Sequence, residues 1–218
     1  MKTSLVFPIA YTVTVLFVYV LENVFNFDFA PCGIFPRRIF GLPGILFSPF
    51  IHGDINHLLS NISALPVLMW LLTVLYKRNY IIIFSALYFL TGFSVWLFGR
   101  ESFHIGASGI IYALASFIFF GGIVSHKNGA AAISLLVVLL YGSMVWGVLP
   151  TDGHISWESH LFGGVSGFVC AFIFAKDKPK KLKKDGDFDY QSPGFEHFSL
   201  TDNRYKININ YSKKNETI

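Results

Sequence analysis

Apolar residues along this chain fall into six long blocks, each closed by a polar or glycine-rich break. They run Leu5–Leu21, Ile55–Tyr76, Tyr80–Phe98, Ser108–Val124, Ala130–Leu149 and Trp157–Ala175. Each is about long enough to cross a hydrocarbon layer of ~30 Å at 1.5 Å per residue. Backbone groups in lipid must be paired within the chain, so the blocks read as helices. The short alternating strands of a membrane barrel are absent from the pattern. The predicted fold is an all-α membrane protein: a six-transmembrane-helix bundle over residues 1–175, then a polar, basic and flexible tail over 176–218. Met1-Lys2 ahead of the first block resembles the start of a signal peptide, but Val24-Phe25-Asn26-Phe27 offers no small-x-small cleavage site. That block is therefore expected to be a retained span.

Composition agrees with this pattern. Charged residues make up 14% of the 218 and apolar types 53%, whereas a soluble domain carries about a quarter charged residues. The net charge of +4 does not mark a nucleic-acid face, because ten of the 17 Lys and Arg lie at or beyond Lys176. They form a juxtamembrane cluster that reads as a stop-transfer signal, with added attraction to anionic lipid. Fourteen cations (Lys2, Lys77, Arg78, Lys127 and the tail) fall on one side of the six-span arrangement. Three (Arg37, Arg38 and Arg100) fall on the other. This places both termini in the cytoplasm. Cys32 and Cys170 then lie toward opposite membrane faces, too far apart for a disulfide. The loop from Glu22 to Gly53 is long and apolar, and is expected to sit partly in the membrane interface. A short strand is expected near Tyr205–Tyr211.

Ionisable and polar residues inside a membrane are costly, so each is a candidate for function. His52, His57, His104, His154 and His160 all fall at the outer ends of spans, which suggests a polar cavity opening outward. Gly106-Ala107-Ser108-Gly109 opens the fourth span. A serine there is either an ordinary helix cap or a nucleophile beside unpaired N–H groups that stabilise an oxyanion. Those 17 residues make about 25 Å of helix, so Ser108 is expected below the outer surface. His160 begins the sixth span above Gly163 and Gly167, a small-residue face that permits close helix approach. It is either satisfied by backbone carbonyls or positioned to accept the serine proton. Tyr112, one turn below Ser108, either fills a helix interface or packs on His160, and the two are compatible. Asp54 is a natural cap for the second span. His57 and Asn61, four residues apart, share a face and suit an oxyanion hole. His52 and His57 could instead hold a metal, but no third ligand has suitable spacing, so neither metal nor cofactor is expected. No carboxylate is placed within a span to orient His160, and Glu158 should point elsewhere. The pattern therefore describes a Ser-His dyad.

These residues together resemble the rhomboid family of intramembrane serine proteases. The resemblance rests on H-x4-H-x3-N at His52, His57 and Asn61, G-x-S-G at Gly106–Gly109, and H-x2-G-x3-G at His160–Gly167, in that order on the second, fourth and sixth spans. It implies Ser108 as nucleophile, His160 as general base, and His57, Asn61 and the Ser108 N–H as the oxyanion hole, with Tyr112 supporting His160. It also implies transmembrane protein substrates and a multi-pass protein of a bacterial cytoplasmic (inner) membrane. The first loop departs from the family pattern: Arg37-Arg38, followed by Ile39-Phe40, stands where many members carry a Trp-Arg pair. A catalytically inactive rhomboid-like chaperone or quality-control protein is an alternative, as is a small transporter or proton conduit using the buried His and Ser residues.

The six-span topology predicts that cysteines introduced at positions 35–45 react with an impermeant thiol reagent from outside the cell, and those at 180–218 only after permeabilisation. Labelling of the tail in intact cells would refute it.

Overall fold

The computed structural model describes residues 3–125, 128–150, 156–175, 201–203 and 206–208. Seven helices lie among them: α1 (Thr3–Phe25), α2 (Gly44–Phe47), α3 (Ile55–Leu75), α4 (Tyr80–Phe98), α5 (Ser108–Val124), α6 (Asn128–Tyr141) and α7 (Trp157–Phe174). The chain divides into two compact units, Met1–Asp177 and Lys178–Ile218. In the second, β1 (Thr201–Asn203) pairs antiparallel with β2 (Lys206–Asn208). The basic run from Lys176, His154 and the expected flexibility of the tail lie outside the described residues.

Among the described residues, four helices are long and apolar enough to cross a membrane: Ser4–Phe25, Ile55–Leu75, Tyr80–Phe98 and Trp157–Phe174. Their outward faces are greasy. On α1, Val6, Ile9, Val13, Phe17 and Val20 are all more than half exposed, which in water would be an aggregation surface and in lipid is a solvated one. The protein is an integral membrane protein. The boundaries of α3, α4, α5 and α7 fall within a residue of those read from the hydropathy pattern. The fifth block differs: its α-helix stops at Tyr141, and Gly142–Val148 continues as a 3-10 helix. Gly142 and Gly147 have low helix propensity, so the change to tighter winding follows the sequence locally. The first block also extends further than expected, through Glu22 to Phe25.

α5 is the central element and packs on α3, α4, α6 and α7. Its Leu114, Phe117 and Ile118 meet Leu65, Leu68, Met69 and Leu72 of α3, and Ile83 and Leu87 of α4, in one buried core. On the α7 side, by contrast, α5 offers backbone. A Cβ on Gly163 would collide with the Gly109 carbonyl, and one on Gly167 with the Ala113 carbonyl. Glycine is required there so that two helix backbones can touch. Ser116 Oγ donates to the Gly164 carbonyl at 2.7 Å and adds a hydrogen bond across the seam.

The loops at the end of the bundle where α3, α5 and α7 begin are tied together by main-chain bonds. Ile34 and His104 exchange backbone hydrogen bonds at 3.0 and 2.9 Å, and the Gly106 N–H donates to the Ser48 carbonyl at 2.8 Å. Arg37, held at φ 59°, donates its guanidinium to the Gly99 carbonyl at 2.7 Å. Ile39 and Phe40 of the same loop are 84% and 62% exposed, an apolar edge suited to the membrane interface.

Gly163→Val should force α5 and α7 apart and destabilise the protein by about 1–3 kcal/mol. Gly164→Ala, where an added Cβ meets nothing within 4 Å, should be neutral or slightly stabilising. Reversible unfolding of the two purified variants in mixed micelles checks this, and equal stabilities would refute the close-packed seam.

Candidate functional site

A cavity of about 750 Å³ lies among the N-terminal ends of α3, α5 and α7 and the loop between α4 and α5. Ser108, His160, His57, Asn61 and Tyr112 all line it. The structure thus brings together residues taken from three separate blocks of sequence.

Ser108 is the first residue of α5. The cap position is Ala107, without a side-chain cap bond, so the capping role open to Ser108 in the sequence is not the one it takes. Its hydroxyl has no hydrogen-bond partner among the described residues and faces the cavity. The first amides of a helix have no intrahelical acceptor, so unpaired N–H groups and the positive end of the dipole lie beside this hydroxyl. Gly106 sets the entry. Its φ is +102°, a region that L side chains rarely adopt, and a Cβ there would come within 2.6 Å of the His57 ring. Glycine lets the loop turn into α5 while pressing against His57.

His160 is held from two directions. Its Nδ1 lies 2.8 Å from the Gly147 carbonyl. A carbonyl can only accept, so Nδ1 carries the proton and the neutral ring keeps its lone pair on Nε2. The ring also stacks on Tyr112, with centroids 4.2 Å apart and planes 5° from parallel. Of the two sequence readings of His160, the backbone carbonyl is observed: it satisfies Nδ1, and Nε2 is not engaged by it. Gly147 was not legible as a partner. The available signal was a glycine within an apolar helix, which marks a break or a close approach. A Cβ there would collide with the Tyr112 hydroxyl and sit 3.2 Å from His160 Nδ1.

On α3, Asp54 caps the helix by accepting from the His57 N–H at 2.9 Å. The half-buried His57 ring lies 5.0 Å from that of His52. Asn61 is buried, and its Nδ2 is 2.9 Å from His52 Nε2. Burial first, and His57 second, push the His52 imidazole down to about 4. It is therefore neutral at ordinary pH and accepts from Asn61. One of the two Asn61 amide hydrogens is committed to His52, and the other remains for the cavity.

The sequence reading expected Glu158 to point away from His160. Glu158 is buried, with Oε1 3.3 Å from Arg100 Nε. Two groups unforeseen from the sequence also stand here: Ser156, hydrogen-bonded to His104 at 2.6 Å, and Ser159, 2.7 Å from Ser156. Gly109, Gly163 and Gly167 lie outside the cavity and act through the α5–α7 seam.

The chain is similar to known proteins. An uncharacterized protein of Mycobacterium tuberculosis is 32% identical over 165 residues, covering 71% of this chain and 69% of its own. An uncharacterized protein of Mycobacterium leprae is 32% identical over 154 residues, 66% of this chain and 61% of its own. RHOMBOID-like protein 1 of Arabidopsis thaliana is 26% identical over 132 residues, 57% of this chain and 32% of its own. The Rhomboid domain family matches residues 40–177. That span contains α2 to α7 and every residue of the cavity, and the chain belongs to the rhomboid family.

Proposed function

We propose that this protein is an intramembrane serine endopeptidase that cleaves transmembrane segments of other membrane proteins, with Ser108 as nucleophile and His160 as general base. One observation carries the reading. Donation of His160 Nδ1–H to the Gly147 carbonyl leaves a basic Nε2 in the cavity that Ser108 lines. Serine is a weak nucleophile until a base removes its proton. In the first step Ser108 Oγ attacks the scissile carbonyl while Nε2 takes its proton. The tetrahedral oxyanion is stabilised by the Ser108 N–H, Asn61 and His57. Collapse expels the amine, which receives the proton from His160, and leaves an acyl-enzyme. A water molecule, deprotonated by the same nitrogen, then releases the acid and restores the serine. In this scheme the Gly147 carbonyl and the Tyr112 ring do what a carboxylate does in a triad: they fix tautomer and orientation.

The same reading takes six helices across the membrane. The 17 residues of α5 span about 25 Å. The 14 of α6 and the seven 3-10 residues after it together span about 35 Å. The cation distribution supports cytoplasmic termini and contact of the basic tail with anionic lipid, and the family resemblance supports a bacterial inner-membrane setting. Water must reach the cavity while the substrate arrives from lipid, which fits a site at the outer helix ends.

Ser108→Ala and His160→Ala should each abolish cleavage of a transmembrane reporter by purified, reconstituted protein. The double variant should be no worse than either single, since the two act as one unit. Wild-type activity should fall on acidification, because only the neutral imidazole accepts the proton. Full cleavage by Ser108→Ala would end the protease reading.

Asn61→Ala removes a donor from the oxyanion hole and should lower kcat roughly 10- to 1,000-fold, with little change in thermal unfolding. Unchanged turnover would exclude Asn61 from that role.

A further inference from the structure

Groups outside the dyad bind the loop that carries the serine to the helix that carries the histidine. His104 lies in the Gly99–Ala107 connection, four residues before Ser108, and is 2% exposed. Its Nε2 is 3.0 Å from the Arg100 carbonyl. A carbonyl only accepts, so Nε2 bears the proton. Burial disfavours the charged imidazole and pushes its titration below the usual value. Nδ1 of the neutral ring therefore presents a lone pair, and Ser156 Oγ lies 2.6 Å from it. Ser156 donates to His104, and its own lone pair receives the Ser159 hydroxyl at 2.7 Å. The chain of donors has one direction: Ser159 to Ser156, Ser156 to His104, His104 to the Arg100 carbonyl.

Two features give this chain a purpose beyond filling space. Ser156 occupies the cap position of α7, where a serine hydroxyl ordinarily accepts from the helix's free amides, yet it makes no such bond. The hydroxyl is committed across the gap to the loop instead. Ser159 immediately precedes His160, and its carbonyl would lie 3.2 Å from a Cβ on Gly109. The relay therefore starts beside the histidine, at the point where α7 touches α5, and ends on the loop that delivers the serine. The ion pair of Arg100 with buried Glu158 links the same two segments.

We propose that His104 is a positioning residue for the Ser108–His160 pair, setting their separation through Ser156 and Ser159. The role rests on the protease reading. Misplacement of reacting groups by about 1 Å can cost on the order of 100-fold in rate, so loss of the relay should appear in kcat and spare KM.

The test uses the full-length protein purified in micelles, a transmembrane reporter substrate and a fluorophosphonate probe for the serine. Ser156→Ala should lower kcat about 10- to 100-fold with KM within about twofold, and should slow fluorophosphonate labelling by a similar factor. Ser156→Thr, which keeps the hydroxyl, should recover most of the loss. His104→Ala combined with Ser156→Ala should be no worse than the weaker single variant. Should His104→Ala fail to fold, the Ser156 pair decides alone. Wild-type kcat in Ser156→Ala, a loss confined to KM, or a threonine variant as slow as alanine would overturn the proposal. Ring nitrogen NMR of His104 reads the relay without catalysis: Nε2 should be protonated and Nδ1 bare, with the Nδ1 resonance moving in Ser156→Ala. The opposite tautomer would overturn the proposal whatever the activity. The expected tautomer in a protein with no Ser108-dependent cleavage or labelling would instead refute the protease reading. The positioning role would then fall with it, and the hydrogen-bond chain would stand.

Discussion

The Gly109 carbonyl lies where a Cβ on Gly163 would stand, and the half of the bundle that holds the cavity depends on that contact. In lipid there is no hydrophobic force to press two apolar helices together, so close packing of small residues and interhelical hydrogen bonds must hold them. Here the seam is backbone on backbone, with Ser116 bonded to the Gly164 carbonyl beside it. The contact lies one helical turn or less below Ser108 and His160. Beside it Tyr112, on the same face as Ser108, lies flat against the imidazole.

Above the seam, the polar groups are satisfied in a manner that leaves particular atoms open. His160 gives one nitrogen to Gly147, His52 accepts from Asn61, and His104 spans Arg100 and Ser156. Each is a buried or half-buried imidazole, and a carbonyl neighbour fixes the tautomer of His160 and His104. A buried imidazolium would carry a desolvation cost, so the cavity favours neutral rings. The general-base role proposed for His160 needs the neutral state.

The loops serve this arrangement by stiffness. A serine one residue into a helix inherits the placement of the preceding turn, and that turn is held at Gly106 by the Ser48 carbonyl and at His104 by Ile34. The first loop, apolar and exposed at Ile39 and Phe40, thus reaches the site through its main chain, not through catalytic side chains. The Arg37 guanidinium on the Gly99 carbonyl extends the same stitching to the end of α4.

The hydropathy pattern alone determined the helices, because lipid demands internally bonded backbone and a fixed apolar length. Hence α3, α4, α5 and α7 appear almost residue for residue in the sequence. The cavity residues on the helices were also legible, since polar side chains in apolar blocks are few and their spacing on a helix assigns a face, as for His57 and Asn61 or Ser108 and Tyr112. What the sequence could not hold was any interaction made by the backbone of a distant segment. The carbonyl of Gly147 is chemically the same as every other carbonyl, and only the 3-10 winding after Tyr141 brings it to His160. Likewise Ser156 stands at the cap position of α7, and only the approach of the Gly99–Ala107 loop turns its hydroxyl to His104. Side-chain identity and period belong to the sequence, whereas the partner of each nitrogen is decided by which backbones the tertiary packing brings within 3 Å.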